Sequence, residues 1–189
     1  YSTILLWRNM PGRCVVALMP NLSLMFHRQV KPIDVFISRI ILETVGATMS
    51  LVVLSVAFIA TGLVDPPYDY VTAFSGWALL AWYAMGVSLF IGALSEQSEI
   101  IDKLWHPLMY LLIPLSGSFF IVNNLPPKVQ KLMLLNPTVN CTEMFREGFI
   151  GAQHPWHYDV GYVVAFNMIL TLLALSQVRY VSKTLVLGQ

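Results

Sequence analysis

Three stretches of the chain are long, apolar and almost free of charge. Residues 71–94 and 160–178 contain no Asp, Glu, Lys or Arg, and residues 40–64 contain only Glu43. A helix of about 20 apolar residues crosses the roughly 30 Å hydrocarbon core of a bilayer. None of the stretches shows the alternation that is typical of a membrane strand. The sequence therefore predicts an all-α, polytopic membrane protein.

A fourth apolar stretch, residues 104–122, contains Pro107, Pro114 and His106. Proline disrupts a helix in a soluble protein, but in a membrane neighbouring helices can satisfy the freed carbonyl groups. We therefore expect this stretch to form a fourth span. His106 lies at its start, and we expect it at the membrane interface rather than in a proton relay.

The composition excludes a soluble single domain and a disordered chain. Of the 189 residues, 57% are hydrophobic and 11% are charged, whereas soluble domains have about 45–50% apolar and about 25% charged residues. So few charges cannot solvate the surface of a globule. The formal net charge of +1 gives no bulk attraction to nucleic acid, so no nucleic-acid partner is expected.

Residues 126–151 are too broken to cross a membrane as one helix. A Pro-Pro pair opens a short run that stops at Asn136-Pro137, and a second run continues to Gly151. Proline in the first turn and Asn as N-cap both favour helix starts, which predicts two helices of roughly 9 and 13 residues. Two interpretations remain open. One is a re-entrant hairpin, which must be buried in protein or line a cavity; the other is a pair of amphipathic helices on the membrane surface.

The second of these helices carries a cluster of charges. Glu143, Arg146 and Glu147 are spaced i, i+3 and i, i+4, so they share one helix face. This face is either a hydrated outer surface or an internal gate or packing anchor. Earlier in the chain, Arg39 and Glu43 have the i, i+4 spacing and are predicted to pair at the membrane edge.

Basic residues near the ends of the apolar stretches predict the orientation in the membrane. The loops 27–39 and 95–103 and the C-terminus carry most of them, and we expect these to face the cytoplasm. Residues 65–70 carry no basic residue, and we expect them and residues 123–159 on the opposite side. Two short polar loops on one side offer docking elements for a cytoplasmic partner.

The sequence contains no catalytic motif: a phosphate-binding loop, a GxSxG turn, HExxH and CxxC are all absent. His154, His157 and Asp159 lie close together, but a proline separates the histidines and breaks the helical register that shared ligation needs. Cys14 and Cys141 have no His or Cys cluster around them and are expected to be buried thiols. The sequence thus predicts no catalytic residue, no metal and no cofactor. The rival class is a membrane-embedded enzyme that modifies a glycan or lipid with His154, His157 and Asp159.

Three segments carry a family resemblance: VKPIDVFISRIILET at 30–44, SFFIVNNLPP at 118–127 and LNPTVNCTEMFREGF at 135–149. They resemble the inner-membrane permease of capsular polysaccharide exporters, within the ABC-2 exporter family. The resemblance covers essentially the whole chain, residues 1–189, as part of one transmembrane domain. It implies that the chain starts partway through the second span of a six-span pattern, without the first span. It also favours the re-entrant hairpin at 126–151.

The resemblance implies a permease subunit that moves capsular or related, lipid-linked polysaccharide across the bacterial inner membrane, with its C-terminus in the cytoplasm. Two permease copies would pair as a homodimer within membrane lipid, and two cytoplasmic ATP-binding subunits would hydrolyse ATP. The protein itself would not be an enzyme. The alternatives are an ABC-2 permease for another lipid-linked glycan, such as O-antigen or teichoic acid, or for a small hydrophobic compound.

The same resemblance suggests three groups of candidate site residues. Those expected to couple to the ATP-binding subunit are Arg28, Lys31, Asp34, Glu96, Glu99 and Lys103. Those expected to form the re-entrant gate are Asn136, Pro137, Glu143, Arg146 and Glu147. Apolar sugar faces stack on aromatic rings, and the aromatics expected to line the glycan path are Trp77, Trp82, Tyr83 and Tyr110.

Overall fold

The computed structural model describes residues 1–21, 30–151 and 155–187. Within these residues the chain forms seven α-helices and three 3₁₀ turns and contains no β-strand, which confirms the all-α class. The helices are α1 (Ser2–Cys14), α2 (Pro32–Ala60), α3 (Tyr70–Ser95), α4 (Glu99–Leu112), α5 (Pro127–Met133), α6 (Pro137–Ile150) and α7 (Val160–Leu187). The 3₁₀ turns are Met19–Asn21, Pro114–Ser116 and Val122–Asn124.

Polar caps determine where two of the long helices begin. Pro32 opens α2, and the preceding Lys31 N–H donates to the Asp34 carboxylate at 2.8 Å. Ahead of α3, the Asp69 carboxylate accepts a hydrogen bond from the Val71 N–H at 2.9 Å. Both contacts satisfy N–H groups that the first helical turn leaves without an internal partner.

Among the described residues, three helices are long and apolar enough to cross a membrane. They are Pro32–Ala60, Tyr70–Ser95 and Val160–Thr184. Each coincides with one of the three nearly uncharged stretches of the sequence, so these predicted spans are present as helices. The N-terminal helix α1 was not predicted.

The predicted fourth span over residues 104–122 is not a single helix. α4 has 14 residues and ends ahead of Pro114, so it rises about 21 Å, less than the roughly 30 Å of the hydrocarbon core. Pro114 has no backbone N–H with which to continue the helix, and Gly117 adopts a left-handed φ of 78°. Pro107, in contrast, lies inside α4 without ending it.

α3 lies at the centre of the molecule and packs against α1, α6 and α7. Its contact with α6 is close because both helices place glycine there. A Cβ added at Gly76 would lie 2.6 Å from the backbone nitrogen of Phe145, and one added at Gly148 would lie 2.2 Å from that of Ala73. Small residues allow membrane helices to pack backbone against backbone, and α6 is therefore held directly on the central helix.

One end of the molecule, here called the Lys31 end, gathers the start of α2 and the ends of α1, α3 and α7. Arg39 donates from Nη1 to the carbonyl of Arg13 at 2.8 Å, which joins α2 to α1. Gln97 donates from Nε2 to Oε1 of Gln177 at 3.4 Å, which places the end of α3 beside α7.

The opposite end, here called the Asp69 end, joins α6 to the start of α3 and to the start of α7. The Asp69 N–H donates to the carbonyl of Gly148 at 2.9 Å, and the Asp159 N–H donates to Oδ1 of Asn140 at 2.9 Å. The two ends hold the two groups of loops that the basic residues predict on opposite sides of a membrane. The end that faces the cytoplasm stays a prediction.

Candidate functional site

Residues 126–151 form two short helices, α5 with 7 residues and α6 with 14. The Asn136 side chain accepts from the Thr138 N–H at 3.1 Å and donates to the carbonyl of Leu115 at 3.1 Å, and Pro137 follows as the first helical residue. α5 buries none of its residues, whereas α6 buries most of its first two turns against α3. α6 is therefore an interior helix. Residues 126–151 are here called the hairpin, and their re-entry into the bilayer stays a prediction.

Glu143 and Arg146 hold the turn that precedes the hairpin. The Glu143 side chain is 1% exposed and accepts from the Val122 N–H at 3.3 Å. Arg146 donates to the carbonyls of Phe120, at 2.5 Å, and Ser118. Oε1 of Glu143 and Nη1 of Arg146 are 3.7 Å apart. A hydrated outer surface is excluded for Glu143, because a buried carboxylate of this kind depends on protein partners.

Glu147 connects the hairpin to the segment before α7. Its carboxylate accepts from the Tyr158 hydroxyl at 2.5 Å. Burial, together with this hydrogen bond, raises the pKa of Tyr158 to about 12. The three charges of the predicted stripe thus contact two different loops, so α6 is tied both to residues 118–122 and to the start of α7.

The predicted ion pair between Arg39 and Glu43 is absent from the described residues, and that prediction is wrong. Glu43 instead pairs with Arg13 of α1, with 3.2 Å between Oε1 and Nε. Arg39 donates to the backbone carbonyl of the same Arg13. Helical spacing alone predicts partners within one helix, whereas α1 lies alongside α2 and supplies the cation from outside it.

Of the residues predicted to couple to a partner, four are exposed at the Lys31 end: Lys31, Asp34, Glu99 and Lys103. Glu99 and Lys103 pair with each other at 3.4 Å. Arg28 lies outside the described residues.

Glu96 is used inside the fold. Its carboxylate accepts from the Leu18 N–H at 2.8 Å, and so it fixes the turn after α1. Burial raises the pKa of the Glu96 carboxyl above its usual range, although this hydrogen bond opposes the shift. Glu96 is therefore a structural residue as well as a predicted coupling residue.

The four predicted path aromatics divide among three neighbouring helices within one copy of the chain: Trp77 contacts α2, Trp82 and Tyr83 contact α7, and Tyr110 contacts α1. Trp77 is buried and donates from Nε1 to Oγ1 of Thr48 in α2 at 3.1 Å. It borders an apolar groove of about 360 Å³ that α2, α3 and α6 line. Trp82 donates from Nε1 to Oγ1 of Thr171 in α7 at 3.0 Å.

The other two aromatics also lie apart. The ring of Tyr83 is 6.2 Å, centroid to centroid, from that of Phe166 in α7. Tyr110 is exposed on α4 and faces α1, where its hydroxyl accepts from Nη2 of Arg8 at 2.9 Å. One copy of the chain therefore does not bring the predicted path aromatics onto one surface.

Arg8 and its neighbour Trp105 are candidate functional residues that were missed from the sequence. They line a cleft of about 360 Å³ between α1 and α4. The available signal was an arginine that follows four apolar residues, ILLW, in a segment to which no helix was assigned. Arg8 and Trp105 are 97 residues apart in the sequence. No local sequence pattern therefore predicts that α1 and α4 form a cleft together.

Among the residues that the structure describes, no group of three or more His, Cys, Asp or Glu side chains could hold a metal ion. His154 of the predicted histidine pair lies outside that part. Cys14 and Cys141 are both buried, free thiols.

Comparison with known proteins agrees with this architecture. The profile of the ABC-2 type transporter family matches residues 15–150. The chain is 38% identical over 183 residues to the capsule polysaccharide export inner-membrane protein CtrC of Neisseria meningitidis serogroup B, which covers 97% of this chain and 69% of CtrC. It is 34% identical, with the same coverage, to the capsule polysaccharide export inner-membrane protein BexB of Haemophilus influenzae.

A more distant relative is the polysialic acid transport protein KpsM of Escherichia coli. It is 25% identical over 167 residues, which cover 88% of this chain and 65% of KpsM. The family profile covers residues 30–44 and 118–149 together with α2, α3 and α6, so the resemblance carried by these two regions is confirmed. This chain belongs to the ABC-2 type transporter family.

Proposed function

We propose that this chain is the permease subunit of an ATP-driven exporter that moves capsular polysaccharide across a bacterial inner membrane. The observation that carries the proposal is the identity of 38% and 34%, over 97% of the chain, to two capsule polysaccharide export inner-membrane proteins. Three helices long enough to span a membrane support the role of a permease. The protein in this proposal is a transport subunit and not an enzyme.

A cytoplasmic ATP-binding subunit docks on the Lys31 end and hydrolyses ATP. Lys31 and Asp34 are exposed at the start of α2, and Glu99 and Lys103 are exposed at the start of α4. Exposed charges of both signs offer complementary contacts to a partner surface and fix its register. Because α2 and α4 both begin here, a displacement of the bound subunit would act on both helices at once.

The hairpin serves as the gate at the opposite end. Glu143 and Arg146 attach α6 to residues 118–122 after α4, and Glu147 attaches it to Tyr158 before α7. In this proposal, these side-chain contacts couple α6 to both flanking segments. Tilting of α4 or α7 would therefore shift α6 and open a passage for the glycan.

A second copy of the chain and membrane lipid cover α2 in this proposal. Within the apolar stretch of α2, only 6% of the residues are buried inside one chain. The exposed side chains of α2 include Leu42, Met49, Val53 and Val56. An apolar helix left this open in a single chain needs lipid or a partner around it. The substrate that crosses between two such copies would be a lipid-linked polysaccharide.

Gene deletion tests the substrate and the transport role. We expect the deletion strain to lose surface capsule and to accumulate the polysaccharide inside the cell, and the wild-type gene to restore export. Unchanged surface capsule would contradict the proposal. Accumulation of O-antigen, teichoic acid or a small hydrophobic compound in the deletion strain would show that this compound, and not capsular polysaccharide, is the substrate. Turnover of lipid-linked sugar by the purified permease without its ATP-binding subunit would instead identify an enzyme.

Charge reversal tests the docking surface. We expect Lys31→Glu to reduce the amount of ATP-binding subunit that co-purifies with the permease, because it reverses an exposed charge at the Lys31 end. The control is Lys128→Glu, which reverses an exposed charge on α5 beside the Asp69 end. Equal recovery of the ATP-binding subunit with both variants and the wild type would show that Lys31 lies outside the docking surface.

A further inference from the structure

A polar cleft of about 360 Å³ lies between α1 and α4. Its walls carry the side chains of Arg8, Asn9, Trp105, His106 and Tyr110. Arg8 lies six residues before the end of α1, which is about 9 Å of helical rise from the Lys31 end. The cleft is thus an indentation with nitrogen donors on both helices, set back from the end of the molecule at which the proposed partner docks.

The guanidinium of Arg8 is held in place but is not neutralised. Its Nη2 donates to the Tyr110 hydroxyl at 2.9 Å, and its Cζ lies 4.6 Å from the centroid of the Tyr110 ring. In the part of the chain that the structure describes, the ion pairs belong to Arg13, Lys103 and Arg146, so no carboxylate there pairs with Arg8. A guanidinium has five N–H donors, and most of those of Arg8 remain available.

Trp105 adds a second donor that lacks an acceptor. Its side chain is 7% exposed, and its indole Nε1 is buried with no hydrogen-bond partner among the described residues. Buried polar groups in folded proteins nearly always have a partner. An indole N–H can only donate, so the missing partner is an acceptor.

We propose that this cleft binds an oxyanion, either the carboxylate of an acidic sugar or the phosphate of a lipid, with Arg8 and Trp105 as its donors. Arginine presents paired N–H groups whose geometry matches carboxylate and phosphate oxygens. Asn9 and His106 add further polar atoms at the rim, and the exposed Tyr110 ring offers a face on which a sugar can stack. The inference rests on the proposed export function, because it assigns these residues to the substrate or to its lipid anchor.

Arg13 is not a third donor to the proposed oxyanion, because it is already paired with a carboxylate. Arg13 lines the same cleft, but its Nε is 3.2 Å from Oε1 of Glu43, so its charge is already compensated. Of the two arginines that line the cleft, Arg8 is therefore the one without a carboxylate partner among the described residues. An uncharged saccharide would gain stacking on Tyr110 but no charge-assisted hydrogen bond, so the site discriminates by charge.

Binding to the purified complex of the full permease and its ATP-binding subunit in detergent tests the inference. The acidic saccharide probe is an oligosaccharide of sialic acid, compared with a glucose oligosaccharide of equal length. The lipid probes are short-chain phosphatidylglycerol and phosphatidylcholine. We expect the wild type to prefer at least one acidic probe over its neutral counterpart, and Arg8→Gln to weaken that binding by about tenfold or more. Trp105→Phe keeps an aromatic ring, although a smaller one, but removes the donor, and we expect a loss of about threefold to tenfold.

Two matched controls isolate the cleft. Trp7→Phe removes the indole N–H of another buried Trp, whose Nε1 likewise has no hydrogen-bond partner among the described residues but which does not line the cleft. Lys128→Gln removes an exposed charge on α5. We expect both to change binding by less than about twofold, since neither removes a cleft donor. Arg8→Lys keeps the positive charge, and we expect it to recover part of the affinity if the Gln variant loses it through charge rather than misfolding.

Each outcome has a separate meaning. Arg8-dependent binding of the sialic acid oligosaccharide assigns the cleft to a sugar carboxylate, and Arg8-dependent binding of phosphatidylglycerol assigns it to a lipid phosphate. Equal binding of acidic and neutral probes, or full affinity in Arg8→Gln, overturns the inference even where the strain still exports capsule. If the deletion strain keeps its surface capsule while the purified complex shows Arg8-dependent binding, the proposed function is overturned and the binding site is not.

Discussion

The Arg146 side chain fixes a turn through two carbonyl groups and lies beside a carboxylate that is almost fully buried. Arg146 donates to Phe120 and Ser118, and its Nη1 is 3.7 Å from Oε1 of Glu143. Removal of one partner from a buried ion pair leaves the other charge without compensation and is strongly destabilising. At the scale of single residues, we therefore expect the loss of one partner of this pair to cost more stability than the attraction between the two charges contributes.

We predict that Arg146→Met destabilises the protein by about 3 kcal/mol, which corresponds to roughly 6–12 °C in melting temperature. The physical reason is that the buried Glu143 carboxylate loses the cation that compensates it, and two carbonyl groups lose their donor. Thermal unfolding of the detergent-solubilised protein, followed by light scattering or intrinsic fluorescence, measures the effect.

The double variant Glu143→Gln/Arg146→Met is the control for this prediction. Glutamine keeps an oxygen that can accept from the Val122 N–H but carries no charge, so the double variant should melt above Arg146→Met. A double variant that melts at or below the single one would show that the Glu143 charge is not the cause of the loss.

At the scale of secondary-structure elements, the contact between α3 and α6 depends on glycine. A Cβ at Gly148 would lie 2.2 Å from the nitrogen and 2.5 Å from the Cα of Ala73, and backbone atoms cannot rotate away as a side chain can. The two helices would have to move apart, although this contact positions the whole hairpin. Overpacking of this kind costs about 1–3 kcal/mol in well-packed interiors.

We predict that Gly148→Ala lowers stability by at least about 2 kcal/mol and reduces export more than expression. Gly46→Ala is the matched control, because Gly46 lies inside α2 and a Cβ there meets nothing within 4 Å. Alanine is about 0.5–1 kcal/mol better than glycine inside a helix, so the control should be neutral or stabilising. Thermal unfolding and surface capsule would be measured for both, and equal effects of the two substitutions would contradict the close packing.

The elements were predictable where hydrophobicity alone decides them. Three apolar stretches became α2, α3 and α7, because a run of about 20 residues without charge has few other options. The end of α4 was not predictable, since Pro107 and Pro114 look alike in the sequence but only the second is followed by a left-handed glycine that turns the chain. α1 was not predicted because Arg8 and Arg13 interrupt the apolar residues that form its buried face, so the segment does not stand out as an apolar stretch in the sequence.

At the scale of the whole molecule, the site residues depend on contacts that no local spacing encodes. Arg13 compensates Glu43 from another helix, and Tyr110 meets Arg8 from 102 residues away. The sequence placed Glu143, Arg146 and Glu147 on one helix face correctly, but the loops that each contacts follow from the packing of α6 against α3. Charge placement along the sequence nevertheless predicted which loops gather at each end of the molecule.

The orientation of these ends gives the last prediction. We expect a cysteine at Lys103 or Lys183 to react with a membrane-impermeant maleimide only after the cytoplasm is opened, and a cysteine at Lys128 to react in intact spheroplasts. All three lysines are exposed, whereas the native Cys14 and Cys141 are buried and should give little background. The reasoning is that basic residues near span ends favour the cytoplasmic side, and the Lys31 end carries Lys31, Arg39 and Lys103. Reaction of Lys103→Cys in intact spheroplasts would show that the orientation is the reverse of the predicted one. The proposed docking surface would then face away from the cytoplasm and could not bind a cytoplasmic ATP-binding subunit.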